Sequence, residues 1–556
     1  MTKAIVIKKI LVANRGEIAV RVIRTAREMG IATVAVYSEV DRGALHVQLA
    51  DESYPLGPPA PSLSYLDAEK LIGVARSAGA DAVHPGYGFL AENAGFARRV
   101  VAEGLTWIGP HADAIDAMGD KLRARRAMHE AGVPLVPGAV DPLADVAAAQ
   151  EAAWRYGLPL ALKAAAGGGG KGLKVARSHD EIASAFETAR REAEAYFKDA
   201  TIYAERYLEN PKHVELQLLA DKHGNVVHVG ERDCSLQRRH QKLWEEAPAA
   251  IAASVREAMR EAGARAAQAI RYDSVGTIEF LVAGDAFYFL EMNTRIQVEH
   301  TVTEAISGLD LIREQIRVAA GEPLGYAQGA ISFRGCAIEA RVNAEDPAQE
   351  FRPAPGAITE YREPGGLGIR IDSAAFAGWT IPAQYDSLIA KLVVWAPDRA
   401  GAIARLRRAI DEYVVEGVPT TLPLLRALCD HGAVRDGSYG TATLEAFARA
   451  WEPPQRDGRA PRRAPPVGRR TAPRLGSLRG GGAATTGNSI VSPMHGLVVE
   501  MRVAKGDAVA EGDIVAVIEA MKMMNEIRAH RGGAVRAVVA GPGSSVERGT
   551  PLVTLE

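Results

Sequence analysis

Cysteine is scarce: Cys234, Cys336 and Cys429 are the three in 556 residues, and their spacing matches no metal cluster. That excludes a disulfide framework and a thiolate zinc site, and it suits a reducing cytoplasm. No apolar run is long enough to span a bilayer, which excludes a helical membrane anchor. Residues 1–10 mix Ile, Val and Lys without the apolar core of a signal peptide. An excess of either charge is missing too. A formal charge of −2 and a pI near 6.7 give no electrostatic case for nucleic acid or a membrane surface. At 556 residues the chain is too long for one core and should divide into several domains.

Large apolar residues are almost absent from Trp451 to about Asn488, a stretch of Arg, Pro, Gly and Ala that includes Arg462-Arg463, Arg469-Arg470 and Gly480-Gly481-Gly482. Such a composition cannot bury enough surface to fold and predicts a flexible, disordered linker over 448–489. Its basic clusters could serve nucleic acid, but a solvated, self-repelling tether is the commoner meaning. About 40 residues of coil reach ~35 Å on average and ~130 Å when extended.

Beyond the linker, 490–556 is a repeat. A shift of 37 positions carries Gly496 onto Gly533, Val498 onto Val535, Gly506 onto Gly543, Val509 onto Val546, Gly512 onto Gly549 and Ile518 onto Leu555. Short alternating strands with glycine turns, given twice, predict a flattened β-barrel of two interlocked halves. Lys522, in Glu519-Ala520-Met521-Lys522-Met523-Met524, falls where the halves join. Taken alone, Met-Lys-Met is an ordinary strand with a solvated lysine. Within the repeat it is a lysine presented for covalent modification. The segment resembles the biotinyl carrier domains, whose Ala-Met-Lys-Met is preceded by Ser-Pro-Met, here Ser492-Pro493-Met494. The methionines favour biotin over the Asp and Ala that flank the lysine of lipoyl domains. The collinear halves leave no room for the extra thumb that some carriers insert.

The chain opens α/β: a buried strand from Lys9, a helix carrying Ile18, Val22, Ile23 and Ala26, and a strand from Ala32. No Gly-x-Gly-x-x-Gly follows the first strand, so a dinucleotide site has little support. The run Gly167-Gly168-Gly169-Gly170-Lys171-Gly172 would let backbone N–H groups approach phosphate, although a flexible loop reads the same way. It is not a Walker loop, since Gly172 stands where Ser or Thr would hold Mg²⁺. Two strand-like arms flank Gly284-Asp285. A turn centred near residue 285 would set Glu279 opposite Glu291. Like charges so placed repel. The alternatives are a solvated edge pair or a divalent cation held by both carboxylates and the Asn293 oxygen.

The order Lys121, Lys163, glycine loop, Glu205, Glu279, Glu291-x-Asn293 resembles the ATP-grasp ligases and, within them, biotin carboxylase. The likeness covers residues 1 to about 447. Its most specific stretches are Glu231-Arg232-Asp233-Cys234-Ser235-Leu236-Gln237-Arg238-Arg239-His240-Gln241-Lys242 and Glu291-Met292-Asn293-Thr294-Arg295-Ile296-Gln297-Val298-Glu299-His300. The resemblance implies an α/β and α+β multidomain chain. It would comprise an N-terminal domain over 1–118, an ATP-grasp domain over 119–330, a C-terminal domain over 331–447, the linker, and the carrier.

It further implies ATP at Lys121, Lys163, Gly169, Gly170, the Glu205-Arg206-Tyr207-Leu208 hinge, His213, Gln237 and His240, with Glu279 and Glu291. Mg²⁺ or Mn²⁺ falls to Glu279, Glu291 and Asn293, and bicarbonate to Lys242, Arg295, Gln297, Val298 and Glu299. Arg341 faces the ureido oxygen of biotin, and Lys522 carries biotin covalently. Lys242, Arg295, Glu299 and Arg341 are the catalytic set, with Glu299 as general base. Arg206 replaces the usual Lys and Trp244 a common aliphatic residue. A capping signature at Thr301-x-x-Glu304 would leave Glu299 outside the following helix and free.

The expected reaction is that of a carbon–nitrogen ligase, carboxylation of carrier-bound biotin with ATP going to ADP and phosphate. It is the first half-reaction of an acyl-CoA carboxylase alpha chain, with acetyl-CoA or propionyl-CoA as acceptor. Expected partners are a carboxyltransferase beta subunit, a biotin protein ligase and a second copy through the carboxylase domain, in the cytoplasm, with neither nucleic acid nor membrane. The runners-up are the alpha subunit of an oxo-acid carboxylase, a non-catalytic biotin carrier, and an ATP-grasp ligase acting on another carboxylate.

Overall fold

The computed structural model describes residues 5–139, 141–165, 172–239, 241–453, 488–521 and 523–556. Two compact units result: 1–344 with Gly356–Ile381 and Leu388–Ala450, and a second formed by Glu345–Pro355, Pro382–Ser387 and Trp451–Glu556. Among the described residues no helix is long and apolar enough to cross a membrane.

The first unit begins with a parallel five-stranded sheet in the order Glu52–Gly57, Ala32–Ser38, Lys9–Val12, Ala82–His84, Thr106–Trp107. The chain leaves Lys9–Val12 towards one side and returns on the other, so a crevice opens at the carboxyl ends of Lys9–Val12 and Ala82–His84. Asn14 lies there and its Nδ2 donates to the carbonyls of Pro85 and Tyr87, both at 2.7 Å. Gly86 has a φ of +63°, and a Cβ on it would come within 2.9 Å of that nitrogen. Only glycine satisfies both demands. The turn so fixed leads into Glu92.

A three-stranded antiparallel sheet follows, in the order Leu173–Ala176, Leu160–Ala164, Ile202–Arg206. The helices Val146–Tyr156 and Ile182–Phe197 cover it, with Leu160, Leu162, Ile182, Phe186 and Ile202 in the shared core. The glycine run expected to approach phosphate connects its first two strands; residues 166–171 lie outside the described set.

The largest element is an eight-stranded antiparallel sheet. Its order is Ala286–Asn293, Val275–Ala283, Lys212–Ala220, Val226–Arg238, Gln241–Ala247, Cys336–Asn343, Leu388–Ala396, Ile369–Ser373. It runs unbroken from the segment expected as 119–330 into that expected as 331–447, because Gln241–Ala247 pairs with Cys336–Asn343. The helix Ala253–Ala269 packs Val255, Met259, Ala262 and Ala266 over one face, against Leu216, Leu218, Ile278 and Phe280.

In the second unit, 489–555 forms two four-stranded sheets, Ser489–Val491, Pro551–Leu555, Gly533–Val538, Ala508–Val509 and Met523–Arg528, Ile514–Ala520, Gly496–Met501, Ser545–Val546. The 37-position shift turns each strand of one sheet into its counterpart in the other. Ala508–Val509 completes the sheet of the second half and Ser545–Val546 that of the first, which is the interlocking the repeat predicts. Ile490, Val498, Val515, Ile518, Leu552 and Val553 fill the space between. Ala520 pairs with Met523; Lys522, between them in sequence, lies outside the described residues.

Candidate active site

Strand register brings the acidic pair together. Ala283 pairs with Ala286 across Gly284-Asp285, so the turn centre falls half a residue before 285, and a regular ladder would set Glu279 against Leu290. The register shifts between Phe280, paired with Phe289, and Glu279, paired with Glu291, leaving Leu290 as a bulge. The expected opposition of Glu279 and Glu291 is therefore present, through a bulge rather than through a turn centred on 285.

Glu279 is buried, whereas Glu291 opens to the cleft. Burial acts to raise the Glu279 carboxyl, but the Lys242 and His213 charges outweigh it and hold the group far below the carboxylate range. Its partner moves the other way: surrounding protein and the negative Glu279 push Glu291 up. Asn293, on the same strand, donates from Nδ2 to Glu279 Oε1 at 2.8 Å. Two carboxylates and an amide oxygen make an all-oxygen set that fits a small hard cation, and a cation would turn the repulsion into attraction.

A second bulge aims the basic groups. On Gln241–Ala247 the register advances from Trp244 to Lys242 while the neighbouring strand advances from Leu236 to Gln237, so Leu243 is the extra residue. Lys242 and Glu245, three apart, consequently both reach the same pocket. Lys242 Nζ donates to Glu299 Oε1 at 2.7 Å and Glu279 Oε1 at 3.2 Å, and makes a short contact with Glu215 Oε1. Burial opposes its charge, but Glu279 and Glu299 raise its pKa and keep it an ammonium. Arg341 Nη2 donates to Glu299 Oε2 at 2.9 Å, and its Nε donates to Glu245 Oε1 at 2.6 Å. Glu299 thus bridges Lys242 and Arg341. Burial would raise its pKa, yet these two cations hold it well below the usual carboxylate value.

The helix after Glu299 begins at His300 and runs to Ser307, with Glu299 itself in the N-cap position. This corrects the reading of Thr301-x-x-Glu304 as the cap: the Thr301 hydroxyl donates to Glu339, and Glu304 accepts from Arg21 and Arg370. The side chain of Glu299 makes no capping bond, so it is available to the pocket as expected.

Arg295 is oriented by Glu92, whose Oε2 accepts from its Nε at 2.9 Å and whose Oε1 accepts from the Thr294 amide at 3.1 Å. Gln297 Nε2 donates to Glu279 Oε1 at 2.8 Å. The Val298 carbonyl accepts from the fully buried Lys391 at 3.1 Å. Below them Arg232, wholly buried, donates to Glu215 Oε2 at 3.0 Å, to Gln217 Oε1 at 2.6 Å and to Thr303 Oγ1 at 3.0 Å, and holds Gln297 Oε1 by a short bond. Trp244 is buried with no partner for its indole N–H among the described residues.

On the three-stranded sheet, Lys163 pairs with Glu205, which also accepts from Arg125 at 2.9 Å. Burial acts against the Lys163 charge and Glu205 restores it, with a net rise. Lys121 opens the helix Lys121–Glu130, and burial lowers its pKa against the pull of Glu291. The Arg206 and Tyr207 amides donate to the Pro137 and Pro159 carbonyls, both at 2.8 Å, and the Arg206 side chain is exposed, with Leu208 half-buried beyond. His213 Nε2 is 2.9 Å from Glu279 Oε2, and its Nδ1 is 3.4 Å from Gln237 Nε2. The structure thereby gathers Lys242, Arg295, Gln297, Val298, Glu299 and Arg341 beside Glu279 and Asn293. Gly169, Gly170, His240 and Lys522 lie outside the described residues.

Sequence reasoning passed over Glu215, Glu92 and Glu245. For Glu215 the signal existed: His213, Glu215 and Gln217 alternate with Val214, Leu216 and Leu218 on a strand buried on both faces. A polar stripe with no water to face marks a built site.

Four family models match the chain: biotin carboxylase N-terminal domain over 6–115, carbamoyl-phosphate synthase L chain ATP-binding domain over 120–327, biotin carboxylase C-terminal domain over 339–446, and biotin-requiring enzyme over 488–555. The chain is 43% identical to the alpha3 subunit of a biotin-dependent acyl-coenzyme A carboxylase of Mycobacterium leprae, across 99% of each. It is 50% identical to a pyruvate carboxylase subunit of Methanothermobacter thermautotrophicus, over 79% of this chain and 90% of that one. The biotin carboxylase domain dimer of Hydrogenobacter thermophilus 2-oxoglutarate carboxylase, solved with MgADP, ADP and bicarbonate, superposes with a TM-score of 0.76 at 50% identity, over 79% of this chain and 97% of that one. The chain belongs to the biotin carboxylase family, as an ATP-grasp carboxylase continued in the same polypeptide by a biotin-requiring carrier domain.

Proposed function

We propose that the chain uses ATP and bicarbonate to carboxylate biotin borne on its own Lys522, and that Lys242, Arg295, Glu299 and Arg341 do the chemistry. The observation that carries this reading is Glu299, held in one pocket between the ammonium of Lys242 and the guanidinium of Arg341. Arg295 and Lys242 take bicarbonate, the arginine through two parallel hydrogen bonds. Gln297 and the Val298 backbone complete its cradle.

In the resting pocket Glu299 is too acidic to be a strong base. An anion arriving between Lys242 and Arg295 draws the ammonium off Glu299 and raises its basicity as the proton must leave. Lys121, Lys163, His213, Gln237, His240, Gly169, Gly170 and the Glu205–Leu208 hinge hold ATP. Glu279, Glu291 and Asn293 hold Mg²⁺ or Mn²⁺, which when bound neutralises the transferring phosphoryl group. Bicarbonate takes that group to give carboxyphosphate, whose collapse yields CO₂ and phosphate. Biotin would supply the ureido nitrogen that takes up this CO₂, its N–H proton passing to the phosphate just released, and Arg341 would face its ureido oxygen.

The acceptor beyond biotin is an acyl-CoA, acetyl- or propionyl-CoA, reached through a separate carboxyltransferase protein. Likeness to the alpha3 chain of an acyl-coenzyme A carboxylase over 99% of both chains, carrier included, supports it. The oxo-acid reading draws support from the pyruvate and 2-oxoglutarate carboxylase relatives, each covering 79% of this chain. A biotin protein ligase loads Lys522, and the carboxylase body pairs with a second copy, as in the Hydrogenobacter dimer. Bicarbonate-dependent ADP formation with free biotin tests the chemistry. Glu299→Gln should cut it by about 10²-fold or more, in the range for a lost general base. Wild-type turnover in that variant removes Glu299 from the role. An acceptor screen with the co-purified partner decides the acyl group.

A further inference from the structure

Glu245 and Glu339 are cross-strand neighbours in the ladder between Gln241–Ala247 and Cys336–Asn343. Opposed residues in such a ladder stand with Cβ atoms about 5 Å apart. Both side chains are completely buried. Each uses one carboxylate oxygen: Glu245 Oε1 takes Arg341, and Glu339 Oε2 takes the Thr301 hydroxyl. Each leaves the other, Glu245 Oε2 and Glu339 Oε1, with no hydrogen-bond partner among the described residues. A single proton placed between two facing acids, each with one such oxygen away from water, would satisfy both.

We propose that Glu245 and Glu339 share one proton as an acid–carboxylate pair, and that this pair is a positioning device for Arg341. The role rests on the reading that Arg341 serves the biotin ureido oxygen. Three carboxylates, Glu245, Glu299 and Glu339, surround one guanidinium, and the Glu339 contact at 4.0 Å is too long for a hydrogen bond. If all three were ionised, Glu339 would draw the guanidinium down onto the strand and saturate its charge. With Glu339 neutral, Arg341 is held by Glu245 and Glu299 without a third anion, and keeps positive charge for the oxygen it faces.

Two carboxylates this close cannot both ionise in a dry site. Burial raises both groups, Glu339 most, and the Glu245 charge lifts it further. The other charged groups facing the pair are Lys242 on the strand of Glu245, Glu299 before the His300–Ser307 helix, and Lys391 on Leu388–Ala396.

Infrared spectroscopy of the intact protein at neutral pH tests the shared proton. The wild-type minus Glu339→Gln difference spectrum should contain a protonated-carboxyl C=O band that shifts in D₂O. A difference spectrum without that band overturns the proposal. Kinetics with free biotin test the positioning. Glu339→Ala should lower biotin kcat/KM about tenfold, roughly the worth of one buried hydrogen-bonded group, and Glu339→Gln should restore most of it. Equal damage from both substitutions contradicts a neutral Glu339. Arg341→Gln is the separating control: if it leaves the biotin KM unchanged, the reading of Arg341 fails, whereas the infrared band reports the proton regardless.

Discussion

Replacing Glu291 by Gln should stabilise the ligand-free protein while abolishing its response to magnesium nucleotide. Glu279 and Glu291 are directly opposed on adjacent strands, Glu279 buried and Glu291 facing the cleft. Two like charges some 5–6 Å apart at an effective dielectric near 20 repel by about 3 kcal/mol. Because water reaches Glu291 and Lys242 partly neutralises Glu279, a realistic gain on removing one charge is about 1 kcal/mol. For a body this large that is a rise of ~1–2 °C in melting midpoint. Against it stands the loss of a proposed cation ligand. Magnesium nucleotide at a hundredfold over its Kd stabilises the wild type by about 2.7 kcal/mol, and the variant should gain little of this. Thermal melts with buffer, Mg²⁺, ADP and Mg²⁺ with ADP, at one scan rate, give the four values needed. A variant no more stable than wild type without ligand, and equally stabilised by Mg-ADP, would refute both the repulsion and the metal assignment.

Lys522→Ala should abolish biotin attachment, read as loss of the mass adduct, while bicarbonate-dependent ADP formation with free biotin survives; loss of both would contradict a separable carrier. Lys391→Met should raise the bicarbonate KM by loosening the Val298 carbonyl, and should destabilise by ~3–5 kcal/mol by stranding buried Glu17. Glu17→Gln in the same chain should recover most of that stability but not the KM, as denaturant melts and bicarbonate titrations will show. His46 and His84 are buried, and burial depresses their pKa values to about 4 and about 3 from an ordinary 6.5. Their contribution to stability is therefore complete above 6.5 and is lost as pH falls through the window down to those values. Melting midpoints should fall over that range, and His46→Asn should flatten part of the slope; an unchanged slope contradicts a neutral buried His46.

The carrier repeat was legible because identical turns and apolar positions recur at one spacing, and symmetry leaves little choice of topology. The acidic hairpin was legible in outcome but not in cause. A count centred on residue 285 pairs Glu279 with Glu291, whereas the chain turns earlier and recovers the pairing through a bulge at Leu290. Bulges are set by packing against neighbouring strands, and a single strand's sequence does not display them. The same holds for Leu243, whose bulge turns Glu245 into the pocket. The capping signature at Thr301 misled because a local pattern competed with tertiary partners: Glu339 claims the hydroxyl, while Arg21 and Arg370 claim Glu304. Glu92 meets Arg295 from about two hundred residues away in the chain, a pairing fixed by the fold.

The most direct test is to give the biotinylated protein labelled bicarbonate and Mg-ATP with no acceptor, then to look for acid-labile label on the peptide that contains Lys522. Stoichiometric label there, absent from Glu299→Gln and from Lys522→Ala, is the predicted result. ATP consumed with no label on that peptide would contradict the account.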